Sequence, residues 1–154
     1  MNPMEIPENK YCSIARSLEV VGQKWNLLIL RQALWGHTRF AQFRKIGVPS
    51  DVLTARLASL VEDGLLERRP YREPGERVRD EYLLTDAGRD LLPVLAAFAA
   101  WGDKHRPTGL GPAAVFVDET TNRPVTLAFV HKDRSLADSA EVRMTPGPGI
   151  TQPS

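Results

Sequence analysis

The sequence has little of what marks several large protein classes. Its 154 residues contain one cysteine, so no disulfide can form within the chain, as suits a reducing compartment. No apolar run approaches the roughly 20 residues that span a bilayer, so we expect no membrane association. The N-terminus lacks a basic region followed by an apolar one, which predicts no export signal and a cytoplasmic protein.

Residue patterns for metal binding and catalysis are missing as well. His37, His105 and His131 are dispersed and no cysteines are paired, so no zinc-ligand spacing exists. Serine, histidine and acidic residues form no recognisable catalytic constellation, and there is no glycine-rich phosphate loop. We therefore expect no metal, no cofactor and no enzymatic activity.

An excess of charge of either sign is also absent. The chain has 20 Lys and Arg against 19 Asp and Glu, a formal net charge of +1 at pH 7. Many nucleic-acid binders are far more basic than this. Any positive surface must therefore come from where the charges are placed.

The most informative stretch that is present runs over residues 50–92. Ser50 is expected to cap a helix whose apolar stripe is Leu53, Leu57, Leu60 and Val61, and Gly64 to end it. Two strands, 65–71 and 78–84, follow with a Pro-Gly turn between them, and Thr85 begins a further helix. This order predicts a winged helix, in which one helix enters a DNA groove beside a β-hairpin.

The outward face of the 50–63 helix carries Ser50, Asp51, Thr54, Ala55 and Arg56. A groove-reading helix needs such a slim, mildly polar face, because bulky acidic side chains would meet phosphates and base edges. We expect Arg56 and Thr54 to read bases and Ser50 to contact a phosphate, while Asp51 can accept from a cytosine amino group. The alternative is an ordinary surface helix with a solvated face.

Arginines on and before the hairpin are the second candidate site. Arg72, Arg77 and Arg79 suit contacts to the DNA backbone, and Arg39 is expected to contact a phosphate. The alternative is a solvated loop in which Glu73 and Glu76 pair with neighbouring arginines.

The rest of the chain predicts further helices and a small appendage. Helices are expected over 12–21, 23–35 and 38–46, the last capped by Thr38. A long helix should run from Thr85 to about His105, kinked at Pro93. Its inward side chains are expected to be Leu91, Leu92, Leu95, Phe98 and Ala99.

Four segments follow from this pattern. We predict a flexible arm (1–11), a winged-helix and dimerisation domain (12–106), a β-rich extension (107–145) and a disordered tail (146–154). Strands in the extension are expected at 113–118, 125–130 and 140–144, with turns at 120–123 and 131–135. The fold class is α+β, mainly α.

Several segments carry a resemblance to one family. They are CSIAR at 12–16, GQKW at 22–25, LILR at 28–31, RFAQF at 39–43, LTARL at 53–57, EDGLLER at 62–68, YLLTDAGR at 82–89 and WG at 101–102. In these the chain resembles the HxlR-type winged helix-turn-helix regulators, a branch of the MarR-like transcription factors. The resemblance implies a homodimer whose first and last helices pair across a two-fold axis, each subunit placing its 50–63 helix in a major groove.

Two further expectations come with the resemblance. Cys12 falls where several members carry an oxidant-responsive thiol, and Lys10 and Arg16 lie near it in sequence; the alternative is a small residue buried at the dimer contact. A small molecule or an oxidant is the expected signal.

The functional hypothesis is a sequence-specific transcriptional regulator that binds a pseudo-palindromic site in double-stranded DNA as a homodimer. The alternative is a winged helix that serves protein contacts and binds no DNA.

Overall fold

The computed structural model describes residues 9–150, which form two compact units divided after Leu92. The elements of the first unit are α1 (Ser13–Val21), α2 (Lys24–Leu34), α3 (Phe40–Arg44), α4 (Ser50–Glu62), β1 (Leu66–Tyr71), β2 (Arg79–Leu84) and α5 (Asp86–Arg89). Helix α6 (Leu92–His105) leads into the second unit, which adds β3 (Phe116–Val117) and β4 (Pro124–Val125). Short 3-10 turns form at Asn9–Tyr11 and Pro148–Ile150. The expected mainly helical α+β fold with a winged helix is confirmed.

The predicted flexible arm and disordered tail can be followed only in part. Residues 1–8 of the arm and 151–154 of the tail lie outside the described residues. The described end of the arm, Asn9–Tyr11, takes a 3-10 conformation, and so does Pro148–Ile150 within the tail. No helix in the range 9–150 has the length and apolar character to cross a membrane.

The hydrophobic core of the first unit lies where α2, α3, α4 and the hairpin meet. Its fully buried large side chains are Ile29, Leu30, Phe43, Leu53, Leu57, Leu60 and Leu66. The leucines of α4 recur at helical spacing, so a single stripe of that helix is buried and the opposite face stays outside. At about 1.5–3 kcal/mol for each buried aliphatic side chain, this stripe fixes how α4 sits in the unit.

The start of α4 differs from the expectation by one residue. Pro49 holds the N-cap position, with extended backbone, and its carbonyl accepts the Leu53 N–H at 2.8 Å. Ser50 is therefore the first helical residue and its side chain caps nothing, so the predicted Ser50 cap is wrong. The proline ring already sets the φ angle near −60°, and the backbone turns into the helix directly after it.

The predicted Thr38 cap of α3 is also wrong. The Gln42 side-chain oxygen accepts the backbone N–H groups of Thr38 and Arg39, at 2.9 and 3.0 Å. Thr38 instead belongs with the hairpin, because its carbonyl accepts the Tyr82 N–H at 2.7 Å and its hydroxyl donates to Glu81 at 3.2 Å. Residues 38–39 thus pair with β2 through an isolated antiparallel bridge, which connects the start of α3 to the wing.

The end of α4 and the start of α5 are joined through Thr85. Its hydroxyl accepts the Gly88 N–H at 3.1 Å, which confirms the predicted cap, and donates to the Gly64 carbonyl at 2.6 Å. Gly64 has φ +79°, as expected for the residue past a helix end. Gly88 is buried, and a Cβ there would lie 2.3 Å from the Leu65 carbonyl oxygen.

The long kinked helix expected from Thr85 to His105 is instead two helices. Helix α5 ends at Arg89 and α6 begins at Leu92, so Pro93 lies in the first turn of α6. A first-turn proline lacks only an N–H that would have had no helical partner, and the chain breaks before it.

The burial expected for the long helix is wrong at two positions. Leu92 and Phe98 are 44% and 61% exposed, because nothing in the described chain covers that side of α6. Leu91, Leu95 and Ala99 are half-buried.

Strand pairing in the extension is sparser than predicted. Phe116 pairs with Val125 and Val117 with Pro124, around the expected turn, where Asn122 has φ +56°. The expected turn at 131–135 also forms, closed by a bridge between Val130 and Leu136. The expected strand at 140–144 is wrong: the Asp138 carboxylate accepts the Ala140 N–H at 2.9 Å and bends the backbone into a turn.

Candidate nucleic-acid interface

The outer face of α4 is the first part of the site. Ser50, Asp51, Thr54 and Ala55 are exposed, and Arg56 is half-buried. The Thr54 hydroxyl donates to the Ser50 carbonyl at 2.9 Å, which leaves its methyl group and its oxygen lone pairs for an incoming partner. The Arg56 guanidinium has no hydrogen-bond or ion-pair partner among residues 9–150. A cation on a firmly held helix, with its donors unused, suits a base edge or a phosphate.

Two cations at the end of α3 were not singled out from the sequence. Arg44 and Lys45 are exposed, and neither has a partner within the part of the chain that the structure describes. They precede the turn at Gly47, whose φ of +89° directs the chain into α4. Basic residues that follow a short helix are common in any soluble protein, so no sequence pattern favours these two over others.

The three wing arginines divide into two kinds. Arg72 donates from Nε to the Glu76 carbonyl at 2.9 Å, and Arg79 pairs with the Glu76 carboxylate at 3.2 Å. Both contacts hold the loop in shape, and the Arg79–Glu76 ion pair is of the kind that the alternative predicted. Arg77 is exposed and has no such partner in the described chain. Of these three arginines it is the one available to a phosphate.

Arg39 connects the start of α3 to the wing. Its Nη2 lies 2.7 Å from the Glu73 carboxylate, and its guanidinium carbon lies 4.2 Å from the centre of the Tyr71 ring. The hydrogen bond with Glu73 raises the pKa of Arg39. The two partners are more than thirty residues from Arg39 in sequence, so no local spacing predicts this contact.

Cys12 lies at the start of the first helix, as expected. It occupies the N-cap position of α1, is half-buried, and accepts the Arg16 N–H at its carbonyl at 3.0 Å. The Arg16 guanidinium is directed to the Ser13 hydroxyl at 3.1 Å. Among the described residues, no three His, Cys, Asp or Glu side chains come together in a way that could hold a metal ion.

Comparison with known proteins gives a consistent picture. Residues 20–109 match the family described as HxlR-like helix-turn-helix. An uncharacterized HTH-type transcriptional regulator of Mycobacterium tuberculosis is 40% identical over 141 residues, covering 90% of this chain and 87% of that protein. The regulator YdeP of Bacillus subtilis, likewise uncharacterized, is 34% identical over 97 residues, covering 62% of this chain and 74% of its own.

Solved structures likewise fall into those that match about nine tenths of this chain and those that match about 62% of it. PA1607 superposes with a TM-score of 0.73 at 35% identity, covering 88% of this chain and 95% of its own. The redox regulator HypR in its reduced form gives a TM-score of 0.54 at 32% identity, covering 62% and 94%. Matches that cover about nine tenths of this chain necessarily include most of the extension, whereas those near 62% cannot include both units in full.

Proposed function

The chain belongs to the HxlR-like helix-turn-helix family of transcriptional regulators, and we propose that it binds a pseudo-palindromic DNA site as a homodimer. The observation that carries the DNA-binding part is the outer face of α4. It is slim and exposed, it bears a cation with unused donors at Arg56, and the opposite stripe is locked in the core. Such a helix can enter a major groove without rearranging the fold.

Each residue of the interface has a distinct role in this proposal. Arg56 and Thr54 read base edges, Ala55 permits close approach, and Asp51 accepts from a cytosine amino group. Ser50 and Arg77 contact phosphates. Arg39, Arg72 and Arg79 meet the DNA backbone as a group already paired with Glu73 and Glu76, so they set the shape of the wing as well as its charge.

The homodimer is supported by apolar side chains that are exposed to water in the single chain. On α6, Val94, Phe98 and Trp101 are 37%, 61% and 56% exposed and recur at i, i+4 and i+7. On α1, Ile14 and Leu18 are 56% and 57% exposed, one turn apart. Helices with such stripes are stabilised by pairing with a second copy, and two-fold dimers are the commonest soluble assembly.

Selection of bound sites from random DNA tests the DNA-binding and symmetry parts together. Two recognition helices on one face of the duplex should enrich inverted repeats whose half-site centres lie about 10 base pairs, or a multiple, apart. Single half-sites would contradict the dimer. The absence of any enrichment, with no gel shift at several salt concentrations, would support the rival function, a winged helix for protein contacts, which the near-neutral charge favours.

A narrower part of the proposal concerns the signal and the compartment. We place the protein in the cytoplasm and assign Cys12 as the group that responds to an oxidant or a small electrophile, since one structural relative is a redox regulator. The chain has one cysteine, so a disulfide would have to join two chains or capture a small thiol. DNA binding measured before and after treatment with a disulfide-forming oxidant tests this, and Cys12→Ser should abolish any response.

A further inference from the structure

Among its described residues, the second unit has no buried side chain. No residue between Pro93 and Gly149 is buried, and after Arg106 only Ala114, Phe116 and Ala137 are even half-buried. The exposed large apolar side chains of the C-terminal extension (residues 107–145) are Leu110, Val115, Val117, Val125, Leu127, Phe129, Val130, Leu136, Val142 and Met144. The extension therefore lacks the core that stabilises a folded unit.

The extension nevertheless holds a defined conformation. Its strands pair at Phe116 and Val125, and the Ala137 N–H bonds the Phe129 carbonyl at 3.0 Å. The Asp118 carboxylate accepts the Thr120 and Thr121 N–H groups at 2.9 Å, which lowers its pKa. Ordering a chain costs conformational entropy, and an isolated two-stranded hairpin is marginally stable at best, so burial of apolar surface elsewhere must offset that cost.

The amount of exposed apolar surface fits a subunit interface. The ten side chains expose between 41% and 93% of their surface. The combined exposed area of these side chains is similar to the ~800 Å² that each partner buries in a standard protein interface. A monomeric protein rarely leaves so much apolar surface within one segment.

The charges of the extension favour a second copy of the same chain over DNA or an anionic membrane. Its basic residues are Arg123, Lys132, Arg134 and Arg143, and its acidic ones are Asp118, Glu119, Asp133, Asp138 and Glu141. A surface with both signs interspersed can face itself across a two-fold axis without repulsion, whereas a polyanion needs one sign.

The comparisons limit where a cover could come from. PA1607, which matches 88% of this chain, is itself covered to 95%, so that chain has almost nothing beyond the two units. Another molecule of the same protein is therefore the simplest source of a cover for the extension.

We propose that the C-terminal extension packs against a second copy of the chain and forms part of the dimer interface, in addition to helices α1 and α6. This inference rests on the proposed homodimer. Shorter relatives, which cannot include the whole extension, would form their dimers without it.

The test compares two valines of equal exposure in the full-length protein. Val130 in the extension is 58% exposed, and Val78 in the wing is 59% exposed. A charge buried without a partner in an interface weakens association strongly, so Val130→Glu should raise the dimer dissociation constant by about tenfold or more in sedimentation equilibrium. Val78→Glu should change it by less than about twofold, as expected for an exposed substitution.

A second measurement guards against a variant that loses its fold. In a Cys12→Ser background, Val130→Cys should be cross-linked between chains by a short bismaleimide, and Val78→Cys should not. Equal dissociation constants for both glutamate variants, without a cross-link at position 130, would overturn the inference and leave the homodimer standing. A wild-type protein that sediments as a monomer would overturn the homodimer itself.

Discussion

The two units of this chain have similar fractions of apolar residues but bury them to very different extents. The first unit packs Ile29, Phe43 and Leu57 into a core where each is 0% exposed. The second has Leu110, Leu136 and Met144 at 93%, 76% and 79% exposure. Apolar content therefore does not say whether a segment folds by itself. The difference lies in whether helices with one-sided stripes converge on each other, as α2, α3 and α4 do.

The largest expected effect separates the two units by stability. Leu57→Ala leaves a cavity in a closed core and should cost about 2–5 kcal/mol of unfolding free energy in urea denaturation of the full chain. Leu136→Ala removes an exposed side chain and should cost under about 0.5 kcal/mol at protein concentrations too low for dimers. A Leu136→Ala loss at high concentration only would place that side chain at a subunit contact. Equal losses at low concentration would contradict the contrast.

The next effect concerns DNA recognition, which we assign to the first unit alone. Arg56→Ala should cost about 1–3 kcal/mol on the selected site if it makes a bidentate contact to guanine, and should relax base preference there. Competition binding against random DNA measures this. Arg143→Ala, an equivalent charge loss in the extension, is the control and should leave both affinities unchanged. An equal loss on specific and random DNA would show that Arg56 reads no base.

The third effect is smaller and tests how the wing is attached. Thr85→Ala removes the cap of α5 and the 2.6 Å bond to the Gly64 carbonyl. The expected loss is about 0.5–2 kcal/mol of unfolding free energy, the usual range for an N-cap. Thr126→Ala, on an exposed position of the extension, is the matched control. A loss no larger than that of the control would mean that Thr85 does not tie α4 to α5.

The parts of the first unit that the sequence predicted are those set by local periodicity. The α4 stripe repeats every three to four residues, Gly64 follows it, and Thr85 stands three residues before the N–H that it accepts, so each signal fits in a short window. The winged-helix order needed no long-range information. The same holds for which face of α4 is buried and which is exposed.

The parts that sequence reasoning missed depend on contacts between distant residues. Thr38 was expected to cap α3, but its carbonyl accepts the Tyr82 N–H of the hairpin. The Gln42 side-chain oxygen accepts the Thr38 N–H at the start of α3 instead. Arg39 was expected to contact a phosphate, and no local spacing indicated that Glu73 and Tyr71 also contact its guanidinium. In the extension, β-branched residues predicted three strands. A strand also needs a pairing partner and burial of its side chains, and within the extension only β3 and β4 pair as strands.

The smallest expected effect tests whether the wing contacts DNA and the extension does not. Of Arg72, Arg77 and Arg79, Arg77 is the one without a partner in the described chain. Arg77→Ala should therefore weaken binding on all sequences and lower the salt slope by about one, the value for one released phosphate contact. Arg123→Ala removes an exposed cation from the extension and should leave the slope unchanged. The logarithm of the binding constant, measured against the logarithm of salt concentration, gives both values. A slope that falls equally for Arg123→Ala would mean that the extension also lies on the DNA, and the division of labour between the two units would fail.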